Sequence, residues 1–165
     1  MGTNQLLLIV LTVLIIAIAI VVGINIFRES AVKSNRNAII ADLNQIAASA
    51  LAYYRAPSSM GGGGGHWIPF TNGEVDKSKG DQLGKWLSFP DYTESSSGDY
   101  FTTPNGVFWM NLTSWTSDVL IIVGSGYETG KDPNYSSAGN GETGCVEVRM
   151  TVTGQTKEIN LEIKN

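Results

Sequence analysis

Hydrophobic and polar positions divide the chain into stretches of different period. From Leu6 to Gly23 it runs through Leu, Ile, Val and Ala with only Thr12 interrupting, and no charged side chain appears before Arg28. About 20 apolar residues at roughly 1.5 Å rise match a hydrocarbon core about 30 Å thick, so the stretch predicts a helix apolar on all sides that requires lipid or copies of itself. A cleavable secretory signal would begin with Lys or Arg and end in an Ala-x-Ala-like site. Met1-Gly2-Thr3-Asn4-Gln5 carries no positive charge, and Val22-Gly23-Ile24-Asn25 is a poor cleavage site.

Beyond Arg28 the period changes. Val32, Ile39, Leu43, Ile46, Ala50 and Tyr53 recur at steps of about three, four or seven, which is one face of a helix. Asn35, Arg36, Asn37, Asp42, Asn44, Gln45 and Ser49 supply the other face, and no proline occurs before Pro57. The two stretches together predict one helix from about residue 3 to about residue 55, roughly 80 Å long. Ser58-Ser59-Met60 and the five glycines Gly61 to Gly65 end it, because glycine loses too much backbone entropy to continue a helix. The glycine run reads either as a flexible linker or as backbone packed closely against the helix or a neighbouring subunit. It lacks the Gly-Lys-Ser/Thr ending of a phosphate-binding loop.

Residues 66 to 105 show little periodicity and read mostly as loop, with a short turn at Asp81 to Leu87. After that the period is two. Val107, Trp109, Asn111 and Thr113 alternate with Phe108, Met110 and Leu112; Val119 to Val123 is a continuous apolar strand; Cys145 to Thr153 and Thr156 to Lys164 alternate again, with Gly154-Gln155 as a tight hairpin signal. Such alternation buries one face and wets the other, as in an antiparallel sheet with a single cover. The expected fold is α+β: a long amino-terminal helix, its first half apolar and its second half amphipathic, packed through Ile39, Leu43, Ile46 and Ala50 on an antiparallel sheet of about four strands. Val146, Val148, Ile159, Leu161 and Ile163 or their alternates should oppose it. The expected organisation is residues 1–27 as apolar membrane or filament-core helix and 28–165 as a globular head.

Composition adds an exterior character, with 19 Gly, charged residues at 16% and a pI near 4.9. An acidic chain of this kind does not suit nucleic acid. Cys145 stands alone, so no internal disulfide is possible, and it reads as a small hydrophobe at a strand start. The triplets Asn111-Leu-Thr113 and Asn134-Tyr-Ser136 fit the N-glycosylation pattern, a signal common by chance. Catalysis finds no support: His66 is the only histidine, too little for a metal cluster or a Ser-His-Asp arrangement. Asp132, Asn134, Asn140 and Glu142 form an oxygen-rich loop that could hold calcium, but their spacing is not that of an EF-hand, and a solvated loop is the plainer reading. No cofactor is expected.

The apolar amino terminus continuing into an amphipathic helix on an antiparallel sheet resembles the type IV pilin superfamily, including the pseudopilins of type II secretion. The resemblance covers residues 1 to about 55 well and the sheet in outline. It implies a mature start at Met1 after a leader ending in Gly is removed by a prepilin peptidase, insertion in the cytoplasmic membrane, and a pilus assembly machinery as partner. Two positions depart from the pattern. Family members usually carry Glu at the fifth position, thought to pair with a neighbour's terminal amine, where this chain has Gln5; an amide cannot neutralise an ammonium, whose uncompensated burial costs several kcal/mol. Many pilins have Pro near position 22, where this chain has Gly23, weaker than Ala in a helix by about 1 kcal/mol. Gly23 reads either as a point of local unwinding on assembly or, with Ala19, as a small-xxx-small contact between helices.

The expected function is therefore a structural subunit of an extracellular pilus-like filament, a homopolymer built on the apolar helix, with Leu14 at the centre of the span. A pseudopilin of a secretion system and a single-span membrane protein with an external sensor or adhesive domain are the alternatives. Arg28, Lys33 and Arg36 directly after the apolar run would draw the head into the cytoplasm if the chain as written were the inserted form, and a basic leader would reverse that.

Overall fold

The computed structural model describes residues 2–68, 70–71, 74–75, 82–87, 99–112, 118–129 and 145–164. The chain is α+β, a long amino-terminal helix packed on a five-stranded antiparallel sheet. It divides into two compact units, Met1–Ser34 and Asn35–Asn165.

Helix α1 runs unbroken from Thr3 to Arg55, 53 residues. Nothing in its sequence stops it earlier, since proline is absent and the lone Gly23 costs too little to break it. Its buried residues are Ile39, Leu43, Ile46, Ala47, Ala50, Tyr53 and Tyr54, all in the second unit. They recur at helical spacing and form one face.

Two short paired strands follow, β1 (Phe70–Thr71) and β2 (Glu74–Val75), then a one-and-a-half-turn helix α2 (Gln82–Leu87). The main sheet is a meander in sequence order, of β3 (Asp99–Thr103), β4 (Gly106–Leu112), β5 (Val119–Thr129), β6 (Cys145–Thr153) and β7 (Ile159–Ile163). Three sequence expectations need correction. The region 66–105, expected to be mostly loop, contains β3 among its described residues, which gives the sheet a fifth strand. The Pro104-Asn105 connection lets Thr103 pair directly with Gly106 and zips Asp99 to Met110. The last hairpin is wider than a two-residue turn: Thr153 N–H donates to Glu158 C=O (2.9 Å), so residues 154–157 form the turn, with Lys157 at φ 61°, and β7 starts at Ile159. Finally, β5 continues six residues past Val123, through Gly124-Ser125-Gly126.

Those glycines are where the helix comes closest. A Cβ on Gly126 would sit 1.9 Å from Asn35 Oδ1, and one on Gly124 would sit 2.7 Å from Ile39 Cγ2. The strand therefore keeps its register opposite Gly106, Val107 and Phe108 while the helix crosses bare backbone. Around that crossing Phe108, Leu120, Ile122, Val146, Val148, Met150 and Val152 are buried against Ile39, Leu43 and Ile46 as the core of the second unit. Val146 and Val148 lie there as expected. Ile159 and Ile163 do not: register places them beside Val152 and Val148, but β7 is an edge strand and they stand 45% and 50% exposed.

Candidate functional site

The residues singled out for assembly all lie in the first unit, and they share one property. Gln5, Leu14 and Ala19 are exposed, and a Cβ on Gly23 would meet nothing within 4 Å. Every large apolar side chain from Leu6 to Phe27 is about half exposed or more, up to 78% at Phe27. The polar groups of this stretch close on its own helix: Gln5 N–H donates to Gly2 C=O (3.0 Å) and Thr12 Oγ1 to Leu8 C=O (2.8 Å). From Leu6 to Gly23 the helix carries no charge and presents almost only hydrocarbon to its surroundings, with the exposed carboxamides of Gln5 and Asn25 at the two ends of the stretch. It is long and apolar enough to cross a membrane, by length and composition. The first charges beyond it include an exposed pair one turn apart, Lys33 Nζ to Glu29 Oε1 at 3.3 Å. Met1 lies outside the described residues.

The second half of α1 is held at both ends by polar pins. Near its start, Asp42 Oδ2 accepts from Thr103 Oγ1 (3.1 Å) and Asn105 Nδ2 (2.9 Å), while Asn35 Nδ2 donates to Asn105 C=O (2.9 Å), so the β3–β4 turn is tied to the helix. Near its end, Asp118 gathers three segments. Tyr54 donates its hydroxyl to Asp118 Oδ1 (2.6 Å), Trp67 Nε1–H donates to Asp118 C=O (2.8 Å), and the N–H groups of Gly154 and Gln155 donate to Asp118 C=O and Oδ2, each at 2.9 Å. Burial, with the hydrogen bond and the negative charge of Asp118, pushes the Tyr54 phenol up to about 12. Trp67 also stacks tilted on Tyr54 at 4.8 Å, and Trp86 of α2 sits edge-on to Tyr53 at 5.8 Å.

The glycine run is the helix's terminal cap, not a linker. Gly63, Gly65 and Gly64 N–H donate to the last carbonyls of α1 and its extension, Tyr53, Tyr54 and Ala56, at 2.9, 2.8 and 2.8 Å. These are carbonyls that a helix end leaves without partners. The path is possible only for glycine: a Cβ on Gly63 would lie 1.9 Å from His66 C=O, and Gly64 takes φ 61°.

Neither Asp118 nor the Asp42–Thr103–Asn105 pin was visible in the sequence, because their partners are 37 to 64 residues away. The weak calcium candidates Asp132, Asn134, Asn140 and Glu142 lie outside the described residues, as does the triplet at Asn134. Among the described residues no three His, Cys, Asp or Glu side chains gather as a metal site. His66 belongs to the cap, its N–H donating to Gly63 C=O (3.2 Å). Cys145 is buried at the start of β6, where its side chain packs as a small hydrophobe. The chain was compared with protein-family models, with curated proteins and with solved structures, and it matches none of them.

Proposed function

We propose that this chain is a structural subunit of an extracellular, type IV pilin-like filament, polymerising through residues 1 to about 27 with the sheet-bearing unit outside. One observation carries the reading: a single uninterrupted helix is seated on a sheet from Ile39 onward and is bare and apolar from Leu6 to Gly23, with no charge before Arg28. Those side chains have two acceptable environments, lipid before assembly and identical helices after it. Relative to water, either environment removes apolar surface at about 25 cal/mol per Å², and the step from lipid to bundle is driven by close packing between the helices. The partners that follow are copies of the chain itself, the cytoplasmic membrane, a prepilin peptidase and an assembly machinery. Gln5 cannot supply the counter-ion that a buried terminal amine needs, so Gln5→Glu is expected to be tolerated or favourable in such a bundle.

Electron microscopy of material sheared from the surface of cells that make the protein tests the reading. Wild-type protein is expected in filaments. Leu14→Arg, which sets a charge at the centre of the span at about 3 kcal/mol or more, is expected to abolish them while the sheet unit stays folded. Filaments that persist in Leu14→Arg, or wild-type protein found only as a membrane monomer, would overturn it, and the second outcome would favour a single-span anchored protein.

A further inference from the structure

Strand β7 closes the sheet on one side, and among the described residues no strand pairs with its outer edge. Thr153 N–H donates to Glu158 C=O (2.9 Å) and Lys164 N–H to Glu147 C=O (3.0 Å). Backbone polar groups alternate sides along an antiparallel strand, so Glu158, Asn160, Glu162 and Lys164 point theirs at β6, while Ile159, Leu161 and Ile163 point theirs at the open edge. The side chains of these three stand on the sheet's apolar face beside Val152, Met150 and Val148, which are fully buried. Ile159 and Ile163 are themselves 45% and 50% exposed. The edge thus offers unsatisfied backbone and apolar surface together, without proline, bulge or an inward-pointing charge to blunt it.

The residue order along the strand identifies the occupant. We infer that β7 pairs antiparallel with β7 of a second copy about a two-fold axis at Leu161. In that register Leu161 faces its own counterpart, Ile159 faces the other copy's Ile163, Asn160 faces Glu162 and Glu158 faces Lys164. The apolar residues of both strands then make one continuous strip on one face. On the other face each end carries a carboxylate opposite an ammonium, and the amide of Asn160 meets a carboxylate it can donate to. The outward backbone groups of Ile159, Leu161 and Ile163 are the ones such a pairing consumes, each facing pair exchanging both N–H···O=C bonds. A one-residue slip would set apolar residues opposite polar ones and lose this match. The contact is isologous, the commonest symmetry of self-association, and it does not use the apolar helix.

Disulfide trapping of the full chain in detergent micelles tests it. Facing residues of a hydrogen-bonded antiparallel pair have Cα atoms about 5.5 Å apart, within disulfide range, so Leu161→Cys is expected to oxidise to a covalent dimer on a non-reducing gel. Tyr127→Cys, exposed on β5, is expected to stay monomeric. Adding Glu158→Lys to Leu161→Cys sets like charges at both ends while leaving the contact of Lys164 with Glu162 intact, and should slow trapping about tenfold; Lys164→Glu on top of it should restore the rate. Circular dichroism of each variant confirms the fold. Repeating the trapping in Leu14→Arg separates this contact from helix-driven assembly, since it should persist there. Leu161→Cys that remains monomeric, or that oxidises equally fast with Glu158→Lys, overturns the pairing.

Discussion

Leu14 and Leu43 are the same residue in the same helix, and their surroundings are opposite. Leu14 is 56% exposed and Leu43 is fully buried. Around Leu43 the apolar residues are spaced at helical period and leave a polar face for water; around Leu14 they occupy every side. A helix gains stability within its own molecule only where its apolar residues form a stripe that one partner surface can cover. The first half of α1 cannot be covered by one sheet, so its energetics belong to whatever surrounds the molecule, while the second half belongs to the fold.

The sharpest way to break this comparison is to truncate both residues. Leu43→Ala removes a side chain enclosed between helix and sheet and should cost about 2 to 5 kcal/mol, the transfer term plus the cavity left behind. Leu14→Ala leaves no cavity in the single chain and should leave unfolding of the sheet unit unchanged. Near-ultraviolet circular dichroism melts of the full chain in detergent read both, with Asn44→Ala, exposed on the helix's outer side, as a control that should not move. Equal losses at Leu14 and Leu43 would show that the two halves are not energetically separate.

The two regions also differ in how they use glycine, and here the expected effects are somewhat smaller. Gly23 has open space around it, so Gly23→Ala should strengthen the helix by up to about 1 kcal/mol. Gly63→Ala drives a methyl group into His66 C=O and the Tyr53 ring and should destabilise the sheet unit by about 1 to 3 kcal/mol. Gly63→Ala is expected to lower the sheet unit's near-ultraviolet melt while Gly23→Ala leaves it unchanged, its gain showing only in the far-ultraviolet helix signal. A neutral Gly63→Ala would return the run to the status of a linker.

How much of this was legible in the sequence follows the range of the forces involved. The helix bounds, near residues 3 and 55, follow from local periodicity and local breakers, and so did the face carrying Ile39, Leu43, Ile46 and Ala50. Strand β6 shows its alternation in full, Val146, Val148, Met150 and Val152 against Glu147, Arg149 and Thr151. Strand β3 did leave a signal, Tyr100-Phe101-Thr102-Thr103 before Pro104-Asn105-Gly106, a run of β-formers closed by turn residues, but it is short and sits in a polar, glycine-rich stretch that masks it. The glycine run was ambiguous because linker and cap have the same composition, and only the carbonyls it meets distinguish them. Asp118 and Asp42 act through partners brought close by the fold, and Ile159 and Ile163 have a face set by alternation but an exposure set by being last in the sheet. Sequence pattern tells which way a side chain points; it does not tell whether anything stands there.

The smallest expected effect concerns one hydroxyl in each region. Thr12 bonds back to its own helix, whereas Tyr54 bonds across to Asp118. Thr12→Val should therefore leave the sheet unit unchanged, and Tyr54→Phe should cost about 1 kcal/mol, the net worth of a hydrogen bond with its aromatic packing kept. The pH dependence gives a second reading of the same contact. The Tyr54 phenol titrates near 10 when unfolded and at about 12 when folded, so the folded state holds its proton more tightly. That contribution is fully present below pH 10 and is lost as the pH rises through about 12, where a phenolate would face the Asp118 carboxylate. Wild type should thus lose stability between pH 10 and 12, and Tyr54→Phe should lose less over the same interval in parallel alkaline melts. If both proteins fall equally there, the Tyr54–Asp118 bond does not join the helix end to the sheet in solution.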